Sequence, residues 1–155
     1  MVTGGMNNQI RVWDTENDFN LKCKLEGPNE DLNFIEWHPK GNVLLTGGKD
    51  FMIWMFNGSS GEFLSCFTGH EGEVNKAAFT LNDNGKHIVS CSADKSIRLW
   101  SPMKSQCLNV TRDNSHVQAA KPKFHAAEIG CFALHHERPI VVSGDMNGAV
   151  YLSNY

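Results

Sequence analysis

The sequence GHEGEVNKAAFTLNDNGKHIVSCSADKSIRLW, residues Gly69–Trp100, contains three short apolar runs separated by turn residues. Each run has the length of a β-strand. The segments between the runs, Asn82–Gly85 and Ala93–Ser96, are rich in residues that favour turns. We therefore predict three consecutive strands in this stretch. They are Val74–Phe79, His87–Cys91 and Ile97–Trp100.

The same pattern recurs along the whole chain. Aromatic residues close equivalent runs at intervals of roughly 40 to 50 residues, at Trp13, Phe56, Trp100 and Tyr151. Six residues before each of them stands a turn residue, namely Asn7, Asp50, Asp94 or Asp145. Four residues further back stands Thr3, Thr46, Ser90 or Val141. This periodicity predicts an all-β fold, a partial β-propeller of about four blades.

The repeat divides the chain into four predicted blades. An incomplete blade at 1–27 is followed by a blade at 28–69, a blade at 70–124 that includes a polar loop insertion at 111–124, and an incomplete blade at 125–155. We count three, four, four and three strands in them. Because each blade buries its faces against its neighbours, we expect further blades, a second copy or a partner to complete the ring. Met1–Gly5 already reads as a strand interior, so we expect a fragment.

The composition is that of an ordinary globular domain with a small negative charge. The formal net charge of −3 argues against a nucleic-acid or anionic-membrane binder. Five cysteines are scattered singly without a CxxC pair, which favours reduced thiols in a cytoplasmic or nuclear protein. No pattern predicts a metal site, a cofactor, a small-molecule substrate or a membrane span.

Three residue types of a hydrolase triad, His70, Ser90 and Asp94, fall within one predicted blade. However, Ser90 lies inside an apolar strand, and partial versions of the set recur in the other blades, as a structural motif would. We therefore predict a structural tetrad of His70, Ser90, Asp94 and Trp100, linked by buried hydrogen bonds. A Ser/His/Asp hydrolase is the remote alternative.

The last blade is expected to hold an incomplete version of this tetrad. His125 precedes its first strand as His70 precedes Val74. Aligning Tyr151 with Trp100 places Val141 at the position of Ser90, and a valine cannot hydrogen-bond to the histidine.

Four motifs resemble the WD40 repeat, namely Gly69-His70, Ser90–Asp94, Ile97–Trp100 and Ile10–Asp14 with its Trp-Asp pair. The resemblance covers essentially the whole chain. It implies blades of four antiparallel strands each, and a non-enzymatic platform that docks protein partners.

A narrower resemblance is to the angio-associated migratory cell protein family. It is carried by Thr3–Met6, Glu36–Pro39, Val43–Gly47 and Ile53–Phe56, including the unusual Trp54 two residues before Phe56. That family includes fungal WD40 chaperones for a basic ribosomal protein. The resemblance implies a role in large-subunit ribosome assembly, with a signalling or cell-migration adaptor as the alternative.

Three carboxylates stand at the predicted start of successive inner strands. Asp31, Glu73 and Glu128 lie six residues before Trp37, Phe79 and Leu134. We predict an acidic rim that attracts a Lys/Arg-rich peptide segment. Two residues further on are Asn33, Asn75 and Gly130, and before the turn aspartates are Lys49, Ala93 and Gly144, on the same side.

Basic residues near the insertion raise a third hypothesis, nucleic-acid binding. They are Arg112, Lys121 and Lys123. Such a site also needs aromatic residues for base stacking, and only Phe124 is near in sequence.

Overall fold

The computed structural model describes residues 1–5, 9–112 and 124–155, and the regular structure in these ranges is entirely β. Strands that are consecutive in the sequence pair antiparallel to form four sheets. The all-β, partial-propeller prediction is therefore confirmed. We call the sheets the first to fourth blades in chain order. No helix in the described ranges is long and apolar enough to cross a membrane.

Within the described ranges the blades contain three, four, four and three strands, which agrees with the prediction from the sequence. The first blade comprises β1 (Val2–Gly4), β2 (Ile10–Asp14) and β3 (Asn20–Leu25). The second comprises β4 (Leu32–Trp37), β5 (Val43–Gly48), β6 (Ile53–Asn57) and β7 (Phe63–Phe67). The third comprises β8 (Val74–Phe79), β9 (Ile88–Ser92), β10 (Ile97–Ser101) and β11 (Gln106–Thr111). The fourth comprises β12 (Ile129–Leu134), β13 (Ile140–Asp145) and β14 (Val150–Asn154).

Residues 113–123, most of the predicted insertion 111–124, lie outside the described residues, as does the predicted turn residue Asn7. The exact blade limits remain predictions.

Three apolar cores hold the blades together, one at each junction between neighbours. The first contains Ile10, Val12 and Leu25 of the first blade with Leu44 and Phe56 of the second. The second contains Leu45, Ile53 and Phe67 with Val74, Ala77, Phe79, Ile88 and Trp100. The third contains Ala78, Val89, Cys91 and Ile97 with Phe124, Ile129, Phe132 and Val141. The buried apolar surface thus lies between adjacent sheets, where its burial stabilises the packing of the blades.

Bulges repeat at the same places in successive blades and give a structural alignment of the repeats. The strand pairing shifts directly before Trp13, Phe56 and Trp100, so these aromatics are equivalent. It also shifts at the start of each inner strand, at Asn33, Asn75 and Gly130.

Tyr151 does not occupy the position of Trp100, so the sequence alignment of the last blade is wrong by two residues. In the third blade Ser90 pairs with Arg98, whereas in the fourth Ser143 pairs with Tyr151. Tyr151 is therefore equivalent to Arg98. Residues two apart on a strand face the same side, so aromatic spacing alone could not distinguish the two alignments.

Candidate functional site

The structure brings His70, Ser90, Asp94 and Trp100 together in one chain of hydrogen bonds. Trp100 Nε1 donates to Ser90 Oγ at 2.8 Å. Ser90 Oγ lies 2.7 Å from His70 Nε2, and His70 Nδ1 lies 2.8 Å from Asp94 Oδ2. With the proton on Nδ1, each group donates to the next and the carboxylate is the final acceptor. The chain connects the turn before β8, the strand β9, the β9–β10 turn and the strand β10.

Backbone and side-chain donors also converge on Asp94. Glu71 N and Ser96 N donate to its carboxylate at 3.1 and 2.9 Å, and Ser96 Oγ donates at 2.6 Å. Gly69 has a φ of +143°, and a Cβ at this position would lie 2.9 Å from Arg98 Nη1. Glycine therefore allows the loop before β8 to approach Arg98 closely. The carboxylate therefore ties the loop before β8 to the turn after β9.

This geometry includes a nucleophile–base pair, but the serine is inaccessible. Ser90 is fully buried and its oxygen already accepts a hydrogen bond from Trp100, while the His70 side chain is 1% exposed. A hydrolase requires a substrate carbonyl in contact with the hydroxyl. Cys91, the neighbouring thiol, is no better nucleophile because burial raises its pKa to about 12. The arrangement satisfies the hydrogen bonds of buried polar groups and does not give a substrate access to Ser90.

The protonation states of the pair follow from burial and hydrogen bonding. Burial disfavours the charged form of His70 and lowers its pKa, despite the opposing effect of Asp94. Burial alone would raise the pKa of Asp94, but the hydrogen bonds from His70 and Ser96 outweigh it and hold that pKa well below its usual range. A neutral imidazole donating to a carboxylate is the expected state at neutral pH.

These shifts predict a loss of stability in acid. The native pKa of His70 lies below its ordinary value of 6.5, so its contribution is complete above pH 6.5 and decreases as the pH falls toward the native pKa. The Asp94 contribution is lost in turn as the pH falls below 3.8. The urea concentration at the midpoint of unfolding should therefore decrease when the pH is lowered from about 7.5 to about 5.5. A His70→Asn variant should show a smaller fall; an equal fall would contradict the assignment to His70.

The fourth blade contains a network that the sequence alignment missed. His125 Nδ1 lies 2.9 Å from Asp145 Oδ2, and His125 Nε2 lies 2.7 Å from Ser143 Oγ. The hydrogen bond with His125 lowers the pKa of Asp145. The ring of Tyr151 packs edge-on against His125 at 4.6 Å between centroids. The placement of Val141 at the serine position is therefore wrong. The network is incomplete, as expected, because Ser153 stands at the position of Trp100. The missed signal was Ser143-Gly144-Asp145, which repeats the small, polar pattern at the end of β9.

The second blade holds its turn carboxylate with a tryptophan in place of a histidine. Pro28 stands four residues before β4, where His70 and His125 stand before β8 and β12. Trp54 Nε1 donates to Asp50 Oδ2 at 2.7 Å. Thr46 Oγ1, equivalent to Ser90, donates to Phe34 O at 3.0 Å. The unusual Trp54 thus has a specific structural role.

The three predicted rim carboxylates occupy equivalent positions at the start of three inner strands. The backbone oxygens of Asp31, Glu73 and Glu128 accept hydrogen bonds from the N–H groups of Lys49, Ala93 and Met146 respectively. We call Asp31, Glu73 and Glu128 the acidic rim. The residue that accompanies Glu128 is Met146 rather than the predicted Gly144, which is the same two-residue misalignment of the fourth blade.

Lys49 already neutralises part of this rim. Its Nζ lies 2.8 Å from Asp31 Oδ2. The hydrogen bond with Asp31 raises the pKa of Lys49, and the charges of Glu73 and Glu30 add to the effect. Within the described ranges, neither Glu73 nor Glu128 forms an ion pair. Two of the three rim carboxylates thus have no ion-pair partner in the part of the chain that the structure describes.

The two predicted asparagines join neighbouring blades. Asn33 Nδ2 donates to Val74 O at 3.3 Å, and Asn75 Nδ2 donates to Ile129 O at 2.9 Å. Both sit at the bulge of an inner strand and reach the next inner strand. Their amides are thus occupied inside the molecule, a role that sequence spacing did not indicate.

The proposed nucleic-acid site is largely outside the described residues, which include neither Lys121 nor Lys123. Arg112 lies 3.8 Å from the carboxylate of Glu71. The described residues contain no group of three or more His, Cys, Asp or Glu that could hold a metal ion.

Comparison with known proteins identifies the repeat. The family described as "WD domain, G-beta repeat" matches residues 19–57 and 61–101, more than half of the chain. Serine-threonine kinase receptor-associated protein of Dictyostelium discoideum is 31% identical over 96 residues, which cover 62% of this chain and 31% of that protein. WD repeat-containing protein 37 of Mus musculus is 28% identical over 119 residues, covering 74% and 23%.

A third relative is Autophagy-related protein 16 of Arabidopsis thaliana, which is 27% identical over 120 residues, covering 77% of this chain and 23% of that protein. The chain thus spans less than a third of the length of each of these relatives. The matched family, the four antiparallel sheets and the His–Ser–Asp–Trp network agree with one another. The chain belongs to the WD40 repeat family.

Proposed function

We propose that the chain is a non-enzymatic scaffold that docks a protein partner through a Lys/Arg-rich segment bound at the acidic rim. The observation that carries the proposal is the equivalent placement of Asp31, Glu73 and Glu128 at the start of β4, β8 and β12. Carboxylates at one edge of neighbouring inner strands would present a continuous negative surface to an extended peptide. The inaccessibility of Ser90 supports a binding role over a catalytic one.

Lys49 serves as an internal example of the contact that a partner would make. Its ammonium binds Asp31 at 2.8 Å, with both side chains partly exposed to solvent. Charge-assisted hydrogen bonds of this kind are about twice as strong as neutral ones. Glu73 and Glu128 would receive the basic side chains of the partner, and the rim's field would accelerate encounter at low ionic strength.

The narrower resemblance supplies one specific partner class, a basic protein of the large ribosomal subunit, in the cytoplasm or nucleus. A signalling adaptor is the second candidate, and the name of the Dictyostelium relative, a receptor-associated protein, favours it. A pull-down from cell lysate distinguishes them. Capture of a large-subunit ribosomal protein, lost in a rim variant, would support the first candidate, and its absence would leave the adaptor.

Reversing the charge of the rim should abolish recognition of basic peptides. We expect the Asp31→Lys/Glu73→Lys/Glu128→Lys variant to bind a fluorescent Lys/Arg-rich peptide at least about tenfold more weakly, which is about 1.4 kcal/mol. Fluorescence anisotropy at two salt concentrations measures this, and the native protein should lose affinity as salt rises.

A matched control separates the rim from net charge. Glu16, Glu62 and Glu137 are exposed carboxylates in turns elsewhere on the molecule, and their triple replacement by lysine changes the net charge equally. The control should bind the peptide much like the native protein. Equal weakening in both variants, or persistent binding in the rim variant with unchanged circular dichroism, would show that the rim is not the site.

A further inference from the structure

The turn between β5 and β6 presents a phenylalanine to solvent. Phe51 is 44% exposed, although phenylalanine is among the residues most often found inside proteins. Its backbone has a φ of 66°, in the left-handed region that bulky residues rarely adopt. The second blade packs against a neighbour on each side, yet Phe51 belongs to neither of the two apolar cores at those junctions. The position therefore combines an unfavourable backbone conformation with an uncovered apolar side chain.

The third and fourth blades have other residues at the same place in this turn. Phe51, Lys95 and Gly148 are equivalent, because each donates its N–H to the carbonyl oxygen three residues earlier. Their φ values are 66°, 67° and 80°. Glycine adopts this conformation without steric cost, and lysine keeps its charged end in water. The turn itself thus requires no aromatic side chain, so its backbone does not explain the phenyl ring of Phe51.

The turn that carries Phe51 is held against the acidic rim. Lys49 N donates to Asp31 O at 3.1 Å, and Lys49 Nζ binds the carboxylate of the same aspartate. Gly48 ends β5 directly before the turn, and a Cβ on this glycine would overlap Asp31 O. The surface at this end of the rim is therefore both acidic and apolar.

We propose that Phe51 is an apolar anchor for the partner, whose docking segment carries an aromatic or aliphatic side chain next to its Lys/Arg residues. The inference rests on the proposed function, because it adds a second contact to the acidic rim. The basic side chains of the segment complement the charge of the rim. Its apolar side chain would cover the ring of Phe51, and the removal of this surface from water adds affinity.

Two fluorescent peptides test the proposal by anisotropy. Each contains four consecutive Lys/Arg residues, and the two differ only in having phenylalanine or serine at both ends. We expect the native protein to bind the phenylalanine peptide at least about fivefold more tightly. Phe51→Gly should abolish this preference and leave the affinity for the serine peptide unchanged, whereas Phe51→Leu should retain it. The thermal midpoint of Phe51→Gly should not fall, because glycine favours this φ.

Two controls are matched to Phe51, one for its ring and one for its turn. Phe63 is 49% exposed on β7, the outermost strand of the same blade, so Phe63→Ala removes a phenyl ring of similar exposure away from the rim. Lys95→Gly places glycine at the equivalent turn position of the third blade. Both variants should retain the preference for the phenylalanine peptide. A loss of preference in either control that matched the loss in Phe51→Gly would contradict the assignment.

The remaining outcomes separate this inference from the proposed function. If the native protein bound both peptides alike and the triple rim variant bound neither, the rim would be the site and the apolar anchor would be wrong. If Phe51→Gly weakened both peptides equally, the ring would contact the basic side chains instead, and the anchor would again be wrong. If the rim variant kept the native affinity for both peptides, the proposed function would fail, and the anchor would fail with it.

Discussion

Replacing Trp100 with alanine should lower the free energy of unfolding by about 3–5 kcal/mol. The ring is almost fully buried in the core between the second and third blades and packs edge-on against Phe67 at 5.9 Å between centroids. Its removal would leave a large cavity and would also take away the donor to Ser90. Such a loss is a substantial part of the stability of a typical domain.

Urea or thermal unfolding followed by circular dichroism measures this effect. Trp100→Phe keeps one aromatic ring in the core but removes the rest of the indole and its N–H, so we expect a smaller loss of about 1–3 kcal/mol. Trp37→Ala is the control for loss of a tryptophan, because Trp37 is partly exposed at the end of β4. If Trp100→Ala cost no more than Trp37→Ala, the junction would not depend on this ring.

Replacing Asp94 with alanine should cost a similar amount, about 3–5 kcal/mol. Its carboxylate, 5% exposed, accepts hydrogen bonds from His70, Ser96 and the backbone of Glu71. Alanine would leave these donors unpaired, and each unsatisfied buried group costs about 1–3 kcal/mol. Arg98, 3.6 Å from the carboxylate, would also lose its counter-ion.

The same turn position in the second blade provides the control. Asp50 accepts hydrogen bonds from Met52 N and Trp54 Nε1, fewer than Asp94 receives. Asp50→Ala should therefore destabilise less than Asp94→Ala under the same conditions. Equal costs would mean that the number of donors does not determine the effect. Asp94→Asn should destabilise less than Asp94→Ala, because the amide oxygen of asparagine can still accept two of the hydrogen bonds.

The tetrad could be predicted because its residues occur at short spacings on elements whose geometry is fixed. Ser90 and Trp100 lie on paired strands, and Asp94 lies in the turn between those strands. Once the hairpin is recognised, the side of the sheet follows from the two-residue period. The position of His70 shortly before β8 allowed its inclusion in the predicted tetrad. His125 stands at the equivalent position of the fourth blade.

The alignment of the fourth blade could not be derived from an aromatic alone. Tyr151 and Ser153 face the same side of β14, so an alignment on aromatic residues selects Tyr151 rather than Ser153. Ser143 and Tyr151 are as far apart in the sequence as Ser90 and Arg98, so the correct alignment follows from the serines rather than from the aromatic residues. The error carried over to Gly144 and hid Met146.

Contacts between blades were also beyond the reach of spacing. Asn33 and Asn75 were predicted to face a partner, yet their amides reach the next inner strand. Lys49 was assigned to the binding surface, where it already pairs with Asp31. Residues of adjacent repeats meet through packing of whole sheets, and a local pattern contains no information on that packing.

The narrower family resemblance remains a proposal, although Trp54, on which it partly depends, has a clear structural role.

The pairing of Trp54 with Asp50 has an evolutionary consequence. The carboxylate at this turn accepts a hydrogen bond from a ring N–H in both blades, from an indole in the second and from an imidazole in the third. A repeat without the histidine can therefore still have its turn anchored, by a tryptophan on β6. Duplicated repeats can drift far apart in residue identity in this way while their architecture is retained.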